Sequence, residues 1–217
     1  MRNFFRSIAV GIAAFLAQKV LHRHKPKIVV ITGSVGKTST KDALATTLAL
    51  KYRVGKNAKN FNTEIGVPIS ILGIHKFEGG LVGWIQIFLR GIFLIIFPVT
   101  YPEWLVLELG ADKPGDLQDL MRWIPADVVV VTRLPKVSVH AAFYDSAEQV
   151  NEEESVPARL LSKKGTLILN GDDEIVRNLR DEHGGDTLTY GFSPAHTVSA
   201  SHAAITYSEK KKKKEGR

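Results

Sequence analysis

The sequence predicts an α/β protein with a doubly wound, mostly parallel sheet. Four apolar segments rich in leucine and β-branched residues recur along the chain. They are continuous runs rather than alternating ones, as strands buried on both faces require. Helix-compatible polar stretches lie between and after them, which is the order of elements in a doubly wound sheet.

The chain begins with a short apolar run between basic residues, Ile8–Ala17, within a predicted unit of residues 1–26. A membrane-spanning helix needs about 20 apolar residues, so this run is too short to span. No Ala-x-Ala-like site follows it, which argues against a secretory signal. Two interpretations stay open, a helix lying in the membrane surface and a helix packed on the domain.

The first apolar strand, Ile28–Ile31, runs into a turn bracketed by two glycines and then into a helix. The glycines let successive N–H groups point inward, and the helix adds its positive N-terminal end. The spacing Gly-x-x-Gly-Lys-Thr is two residues tighter than the general P-loop, and a plain glycine turn is the alternative. We predict a phosphate-binding loop made of Gly33, Ser34, Val35, Gly36, Lys37, Thr38 and Ser39.

Two residues of this loop have the chemistry of a nucleotide site. Lys37 would neutralise the outer phosphates, and the Thr38 hydroxyl would hold the accompanying Mg²⁺. The helix is predicted to continue over Ser39–Lys51, with Ala43, Leu44, Thr47 and Leu48 on its apolar face. Residues Val54–Pro68 are rich in Asn, Lys and Gly and are predicted to form a loop. Two interpretations stay open, a plain turn and, because the loop follows the P-loop helix, a contact with the ligand.

The most hydrophobic window is 81–100, predicted as an apolar helical insertion. Arg90 lies at its middle and Pro98 closes it, so we favour a helix on the domain or in the membrane surface over a membrane span. Three more strands are then predicted at Trp104–Leu109, Asp127–Thr132 and Gly165–Asn170, with helices at Asp116–Trp123, Ser146–Ser162 and Asp173–Glu182.

Two further side chains are expected at the carboxyl ends of the strands, where such sheets bind ligands. Glu108 ends its strand on the same edge as the phosphate-binding loop, and Mg²⁺ is a natural partner for it there. An ion pair with a nearby Arg or Lys is the alternative. His140 lies in the loop after the Asp127–Thr132 strand, although a single His is more often a surface or core residue.

Composition limits the class of protein. The chain has 217 residues, 44% of them hydrophobic, and no cysteine, which suits one sizeable domain, or one and a half, in a reducing cytoplasm. The net charge of +7 comes from the two ends, because residues 28–208 carry 17 basic and 20 acidic side chains. A nucleic-acid-binding face is therefore not expected on the body, and only the lysine-rich tail, 209–217, offers that alternative.

Five motifs in this order resemble the central ATPase domain of the Mur ligases. They are Gly33–Ser39, Asn60–Pro68, Val106–Ala111, His140 and Asn170–Asp173. The resemblance covers residues 26 to about 207. It implies ATP-dependent amide-bond formation through an acyl phosphate, with a UDP-muramoyl peptide and D-alanyl-D-alanine as substrates.

The resemblance also implies roles for particular residues. Lys37 and the amides of Ser34–Thr38 would hold the β- and γ-phosphates of ATP. Thr38 and Glu108 would bind one Mg²⁺, and His140 would bind a second. The loop residues Asn60, Asn62 and Thr63 would face the nucleotide-sugar substrate.

Three features depart from the family pattern. Glu154 occupies the position of a carbamylated lysine, and we hypothesise that its carboxylate supports the metal directly; a solvated acidic helix face is the alternative. A short apolar helix stands where the family has its UDP-binding domain. The chain ends soon after Tyr207 in a lysine run, from which we expect a fragment of a full ligase and a broken reading frame.

These inferences predict three units: the helix of 1–26, an incomplete ATP-binding domain over 27–208 and the tail of 209–217. We expect a cytoplasmic ligase domain held at the inner membrane surface. The alternative function is a membrane-associated nucleotide-binding module that regulates a partner and ligates nothing.

Overall fold

The computed structural model describes residues 2–58, 60–134, 144 and 146–201. These residues form an α/β unit in which helices and parallel strands follow one another along the chain. The helices are α1 Arg2–His24, α2 Lys37–Leu48, α3 Gly66–Ile71, α4 Gly80–Ile96, α5 Asp116–Met121, α6 Ala147–Arg159 and α7 Glu174–His183. The strands are β1 Lys27–Thr32, β2 Val54–Lys56, β3 Trp104–Glu108, β4 Val128–Val131, β5 Thr166–Asn170, β6 Thr187–Gly191 and β7 Val198–Ser199.

The strands form one seven-stranded sheet in the order β2-β3-β1-β4-β5-β6-β7, and each pair is parallel. Strand β1 lies near the centre, and its residues from Ile28 to Thr32 are all buried. Its register places Ile31 beside Glu108 of β3 and Thr32 beside Val131 of β4. The carboxyl ends of β1, β3 and β4 therefore meet at one edge of the sheet, as ligand sites in such folds require.

The two faces of the sheet are covered unequally. Helix α2 packs on one face, where Ala45 meets a cluster containing Val29 and Val106. Helices α1 and α3 to α7 all contribute to the larger apolar cluster on the other face. Since helices lie on both faces, the predicted doubly wound fold class is confirmed.

Several element boundaries differ from the predictions. The segment Val54–Pro68 is not entirely a loop, because β2 forms at its start and α3 begins at Gly66. Strands β6 and β7 were not predicted from the sequence; β7 is only two residues long. The predicted apolar face of α2 is partly wrong, since Ala43 and Thr47 are exposed whereas Lys41 and Ala45 are buried.

The N-terminal helix and the apolar helix of the 81–100 window pack against each other. Gly91 of α4 lies against Leu16 of α1, since a Cβ built at Gly91 would meet the Leu16 side chain at 2.9 Å. The ends of the helices meet too, where His24 Nε2 lies 3.0 Å from the Leu94 carbonyl. Within the described residues, no helix is both long enough and apolar enough to cross a bilayer.

Candidate functional site

The predicted phosphate-binding loop has the backbone of an anion cradle. Gly33 and Gly36 have φ angles of 117° and 90°, in the left-handed region that favours glycine. A Cβ at Gly33 would also lie only 3.0 Å from the Arg133 amide nitrogen, so the segment that follows β4 approaches the loop closely. Helix α2 follows, and its N-cap residue, Gly36, makes no side-chain capping hydrogen bond. Its first amides are therefore not capped by the N-cap side chain, and an anion would be stabilised there.

Two carboxylates flank this loop, and Glu108 is the first. Its Oε1 accepts a hydrogen bond from the Thr38 hydroxyl at 3.1 Å, and its Oε2 pairs with Lys41 Nζ at 3.2 Å. The Lys41 and Glu108 side chains are only 3% and 9% exposed, so this is a buried ion pair. The structure thus brings Thr38 and Glu108 together as predicted, and the predicted alternative, a cationic partner for Glu108, is present as well.

The asparagines of the 54–68 segment hold Glu108 in place. The Asn57 side chain forms two hydrogen bonds with the Glu108 backbone, at 2.8 Å to its carbonyl and 2.9 Å from its amide. Asn62 Nδ2 donates to Glu108 Oε1 at 3.4 Å. These contacts fix the end of β3, so the orientation of the carboxylate is set by both its backbone and its side-chain partners.

Glu154 is the second carboxylate, and it lies directly on the loop. Its Oε2 accepts from the Thr32 hydroxyl at 2.7 Å and from the Gly33 amide at 3.0 Å. Its Oε1 lies 3.1 Å from Lys37 Nζ, which also donates to the Gly33 carbonyl. The Glu154 side chain is 8% exposed, so the alternative of a solvated acidic face is wrong for this residue.

The neighbouring Glu153 has a different, structural task. It accepts hydrogen bonds from the amides of Gly115 and Leu117, at 2.9 and 2.7 Å, and so caps the first turn of α5. Burial raises the pKa of the Tyr144 phenol, and the nearby Glu153 carboxylate raises it further. Of the acidic run 152–154, only Glu152 is exposed.

The remaining predicted residues are not gathered at one point. Thr63 lines a cavity of about 570 Å³ between α1 and α5, whereas Asn62 turns towards Glu108 and Asn60 is exposed at a positive φ of 68°. Four carboxylates and one lysine line this cavity, which does not suit a diphosphate group. Val35 and Ser39 are exposed on the loop and on α2. His140 lies outside the described residues.

Sequence reasoning missed Lys41 and Asn57. Lys41 lies four positions after Lys37 on α2, which places both lysines on the same face of the helix. This spacing is the signal that could have found it. No local pattern identified Asn57, because its partner Glu108 is 51 positions away in sequence.

The residues present fit a magnesium-bound triphosphate. The Thr38 hydroxyl and the Glu108 carboxylate are hard oxygen donors of the kind Mg²⁺ prefers, and Thr38 is exposed at the edge of the loop. The Ser34 Oγ atom is buried without a hydrogen-bond partner among the described residues, so the loop retains an unused polar group. Within the same residues, no group of three or more His, Asp or Glu side chains could hold a metal alone.

Known proteins are similar to this chain in sequence. The family model of the Mur ligase middle domain matches residues 93–215. The UDP-N-acetylmuramoyl-tripeptide–D-alanyl-D-alanine ligase of Bacillus subtilis (strain 168) is 28% identical over 176 residues, 81% of this chain and 32% of that protein. The ligase of the same name from Rickettsia prowazekii (strain Madrid E) is 24% identical over 183 residues, 84% of this chain and 35% of that protein.

A solved structure agrees with these relatives. The MurF ligase from Thermotoga maritima in complex with ADP is similar at a TM-score of 0.63 and 30% identity, over 84% of this chain and 36% of that one. This chain thus spans about a third of the length of the relatives it matches. Its parallel sheet has the fold of the Mur ligase central domain. All three relatives are named as ligases. These names do not favour the alternative function, a nucleotide-binding module without ligase activity.

Proposed function

This chain belongs to the Mur ligase family, and from that premise we propose that it is an ATP-dependent amide ligase of peptidoglycan precursor synthesis. In the proposed reaction, the γ-phosphoryl group of ATP passes to a substrate carboxylate and gives an acyl phosphate and ADP. An amine then displaces inorganic phosphate and forms the amide bond. The names of the relatives favour a UDP-muramoyl tripeptide as the carboxylate substrate and D-alanyl-D-alanine as the amine.

The observation that carries this proposal is the contact between Thr38 and Glu108. Their oxygens lie 3.1 Å apart at the carboxyl ends of β1 and β3, beside the glycine-bracketed loop. These two residues would hold a magnesium ion, which when bound supplies positive charge to the phosphate oxygens. His140, predicted to hold a second ion, stays a prediction.

The loop supplies the other charges that phosphoryl transfer needs. The amides of Ser34–Thr38 would bind the β- and γ-phosphates, as the positive φ angles of Gly33 and Gly36 permit. Lys37 Nζ is paired with Glu154 and the Gly33 carbonyl, and a bound γ-phosphate would take over one of these contacts. Catalysis of this kind depends on positioning and charge neutralisation rather than on an acid–base pair.

Glu154 is proposed to support the cation from the opposite side of the loop. Its carboxylate lies against the Gly33 amide, so a triphosphate bound in the loop would bring negative charge close to it. Such a juxtaposition is stable only with a cation between the two anions, and Lys37 or a magnesium ion can provide it. Glu154 would therefore make nucleotide binding depend on the cation.

We place the reaction in the cytoplasm, where ATP is available. The predicted contacts of Asn60, Asn62 and Thr63 with the nucleotide-sugar substrate stay a prediction, and its diphosphate would have to bind outside the acidic cavity that Thr63 lines. Whether the protein also lies at the inner membrane surface is a separate question, which depends on the residues of α1 and α4.

The test is phosphate release from ATP by the full chain in Mg²⁺, with and without the muramoyl tripeptide and D-alanyl-D-alanine, together with mass detection of the amide product. We expect release that requires the peptide substrate. Glu108→Gln should lower it by about 10²–10³-fold, because a preorganised charge at the phosphates is lost. Glu154→Gln should lower it by about tenfold or more and weaken its dependence on magnesium.

Matched controls separate the site from general damage, provided that activity is compared under conditions in which circular dichroism shows every variant to be folded. Glu103→Gln changes the same residue type at the opposite end of β3, where Glu103 is exposed and pairs with Arg53. Thr38→Ala should also lower phosphate release, because it removes the hydroxyl next to Glu108. Thr47→Ala is its control, since both residues lie exposed on α2. The proposed function would be contradicted if phosphate release were the same with and without the muramoyl peptide. It would also be contradicted if Glu108→Gln were as active as Glu103→Gln.

A further inference from the structure

Helices α1 and α4 expose an extensive apolar surface. Of the 17 large hydrophobic side chains that are exposed among the described residues, 11 belong to α1, to α4 or to Phe97 at the end of α4. We call these 11 residues the outer face. They are Ile8, Ile12, Phe15, Leu81, Val82, Ile85, Phe88, Leu89, Phe93, Ile96 and Phe97.

The outer face is built by helical periodicity, not by scattered side chains. On α4, Ile85 and Leu89 are one turn apart and are 48% and 60% exposed, whereas Ile87 between them is 1% exposed and faces the core. On α1, Ile8, Ile12 and Phe15 follow the same spacing opposite the buried Ala13 and Ala17. Helix α4 is thus apolar on the side that packs and on most of the side that faces outward, and α1 adds three exposed apolar side chains. A helix as apolar as α4 is ordinarily buried, so the outer face lacks the covering that its composition calls for.

The charges that α1 and α4 themselves carry are all of one sign. Lys19 lies with its ammonium 5.3 Å from the Phe15 ring centre, and the Arg90 guanidinium lies 5.7 Å from that of Phe93. Arg23 donates to the carbonyls of Ile96 and Phe97 at the end of α4. Neither helix contains an Asp or a Glu, and Glu78 precedes α4. The four carboxylates of the cavity between α1 and α5 lie against a different side of α1, the one that carries Val10 and Ala14.

We propose that the outer face docks on the surface of a bilayer containing anionic phospholipids, with α1 and α4 lying in the membrane plane. The apolar side chains would enter the boundary between headgroups and acyl chains. The Lys19 and Arg90 cations lie over aromatic rings of the outer face, and Arg90, which also donates to the Leu72 carbonyl at 3.2 Å, is exposed. Lipid phosphates would meet both cations there. The ligase site would then work close to the membrane.

A second copy of the chain fits the outer face less well. Two such faces in contact would bring Lys19, Arg23 and Arg90 of one copy towards those of the other, and neither helix has an acidic side chain to pair with them. Anionic lipid supplies the missing negative charge. The charge pattern therefore favours a bilayer over self-association.

The test is co-sedimentation of the full chain with phosphatidylcholine vesicles, with and without about 30% phosphatidylglycerol, in the absence of nucleotide. We expect binding that the anionic lipid strengthens. The double variant Ile85→Glu/Leu89→Glu should weaken binding by about tenfold or more, because two charges replace apolar groups at the contact. Lys19→Gln should reduce mainly the dependence on phosphatidylglycerol.

The matched control is Leu50→Glu/Phe192→Glu, which places the same two charges at exposed apolar positions outside the outer face. This variant should bind vesicles like the unaltered chain, and all variants should melt at similar temperatures. Equal vesicle binding by the two double variants would overturn the proposal. So would a dimer in solution that Ile85→Glu/Leu89→Glu dissociates while no form of the chain binds vesicles.

Discussion

At the carboxyl ends of β1 and β3, charged side chains lie buried, whereas on α1 and α4 large apolar side chains lie in solvent. Lys41 and Glu108 are at most 9% exposed, while Leu81 and Val82 are at least 77% exposed. Both regions reverse the usual distribution of polar and apolar groups. They differ in how the reversal is stabilised.

The buried charges have partners within the chain. The Glu108 carboxylate accepts hydrogen bonds from Thr38, Lys41 and Asn62. The Glu154 carboxylate accepts them from Thr32, Gly33 and Lys37. The outer face has no comparable partner among the described residues. The comparison indicates that the first region is organised before a ligand arrives, whereas the covering of the second is what the membrane proposal supplies. Substitutions should therefore cost stability in the first region and little in the second.

The largest expected effect is on the buried pair. Glu108→Gln leaves the Lys41 ammonium buried without a counter-charge, and we expect a loss of about 3–5 kcal/mol in the free energy of unfolding. The double variant Glu108→Gln/Lys41→Met should recover most of that loss, because it removes both charges. Urea unfolding of the single and double variants measures the difference. A single variant within about 0.5 kcal/mol of the unaltered chain would show that the pair is solvated.

A smaller effect is expected at the glycine of the loop. Gly33→Ala places a Cβ at a φ of 117° and against the Thr132 hydroxyl and the Arg133 amide, so both backbone and packing are strained. We expect a loss of about 1–3 kcal/mol in unfolding free energy and weaker binding of a fluorescent ATP analogue. If the variant unfolds and binds like the unaltered chain, the loop is neither tightly packed nor held in this conformation.

The smallest expected effect is a gain in stability, and it concerns helix α1. Gly11 is an exposed residue within α1, and a Cβ there would meet no atom within 4 Å. Gly11→Ala should raise the free energy of unfolding by about 0.5–1 kcal/mol, because glycine costs conformational entropy in a helix. Thermal unfolding of Gly11→Ala beside Gly33→Ala checks the contrast directly. Destabilisation by Gly11→Ala would mean that this side of α1 is more closely packed than the structure has it.

Much of the fold was determined by the sequence itself. The continuous apolar runs of β1, β3 and β4 predict a parallel sheet, and the two glycines before Lys37 predict the cradle, because strand burial and positive φ are local requirements. Glu108 is the last residue of its predicted strand, so the sequence also predicts that it lies at the carboxyl ends of the strands, where the phosphate-binding loop is. The motif order likewise predicts the Mur ligase family, which the comparisons show.

The partners of these residues were decided only by the tertiary structure. Lys41 and Glu108 are 67 positions apart, and Lys37 and Glu154 are 117 apart, so no local pattern joins them. The register of β1 with β3 and the packing of α6 near the loop bring them together. The same holds for the outer face, since the sequence marks two apolar helices but only their packing shows which sides stay exposed. Local patterns fix the conformation of a segment, whereas contacts between distant segments depend on how all of them pack at once.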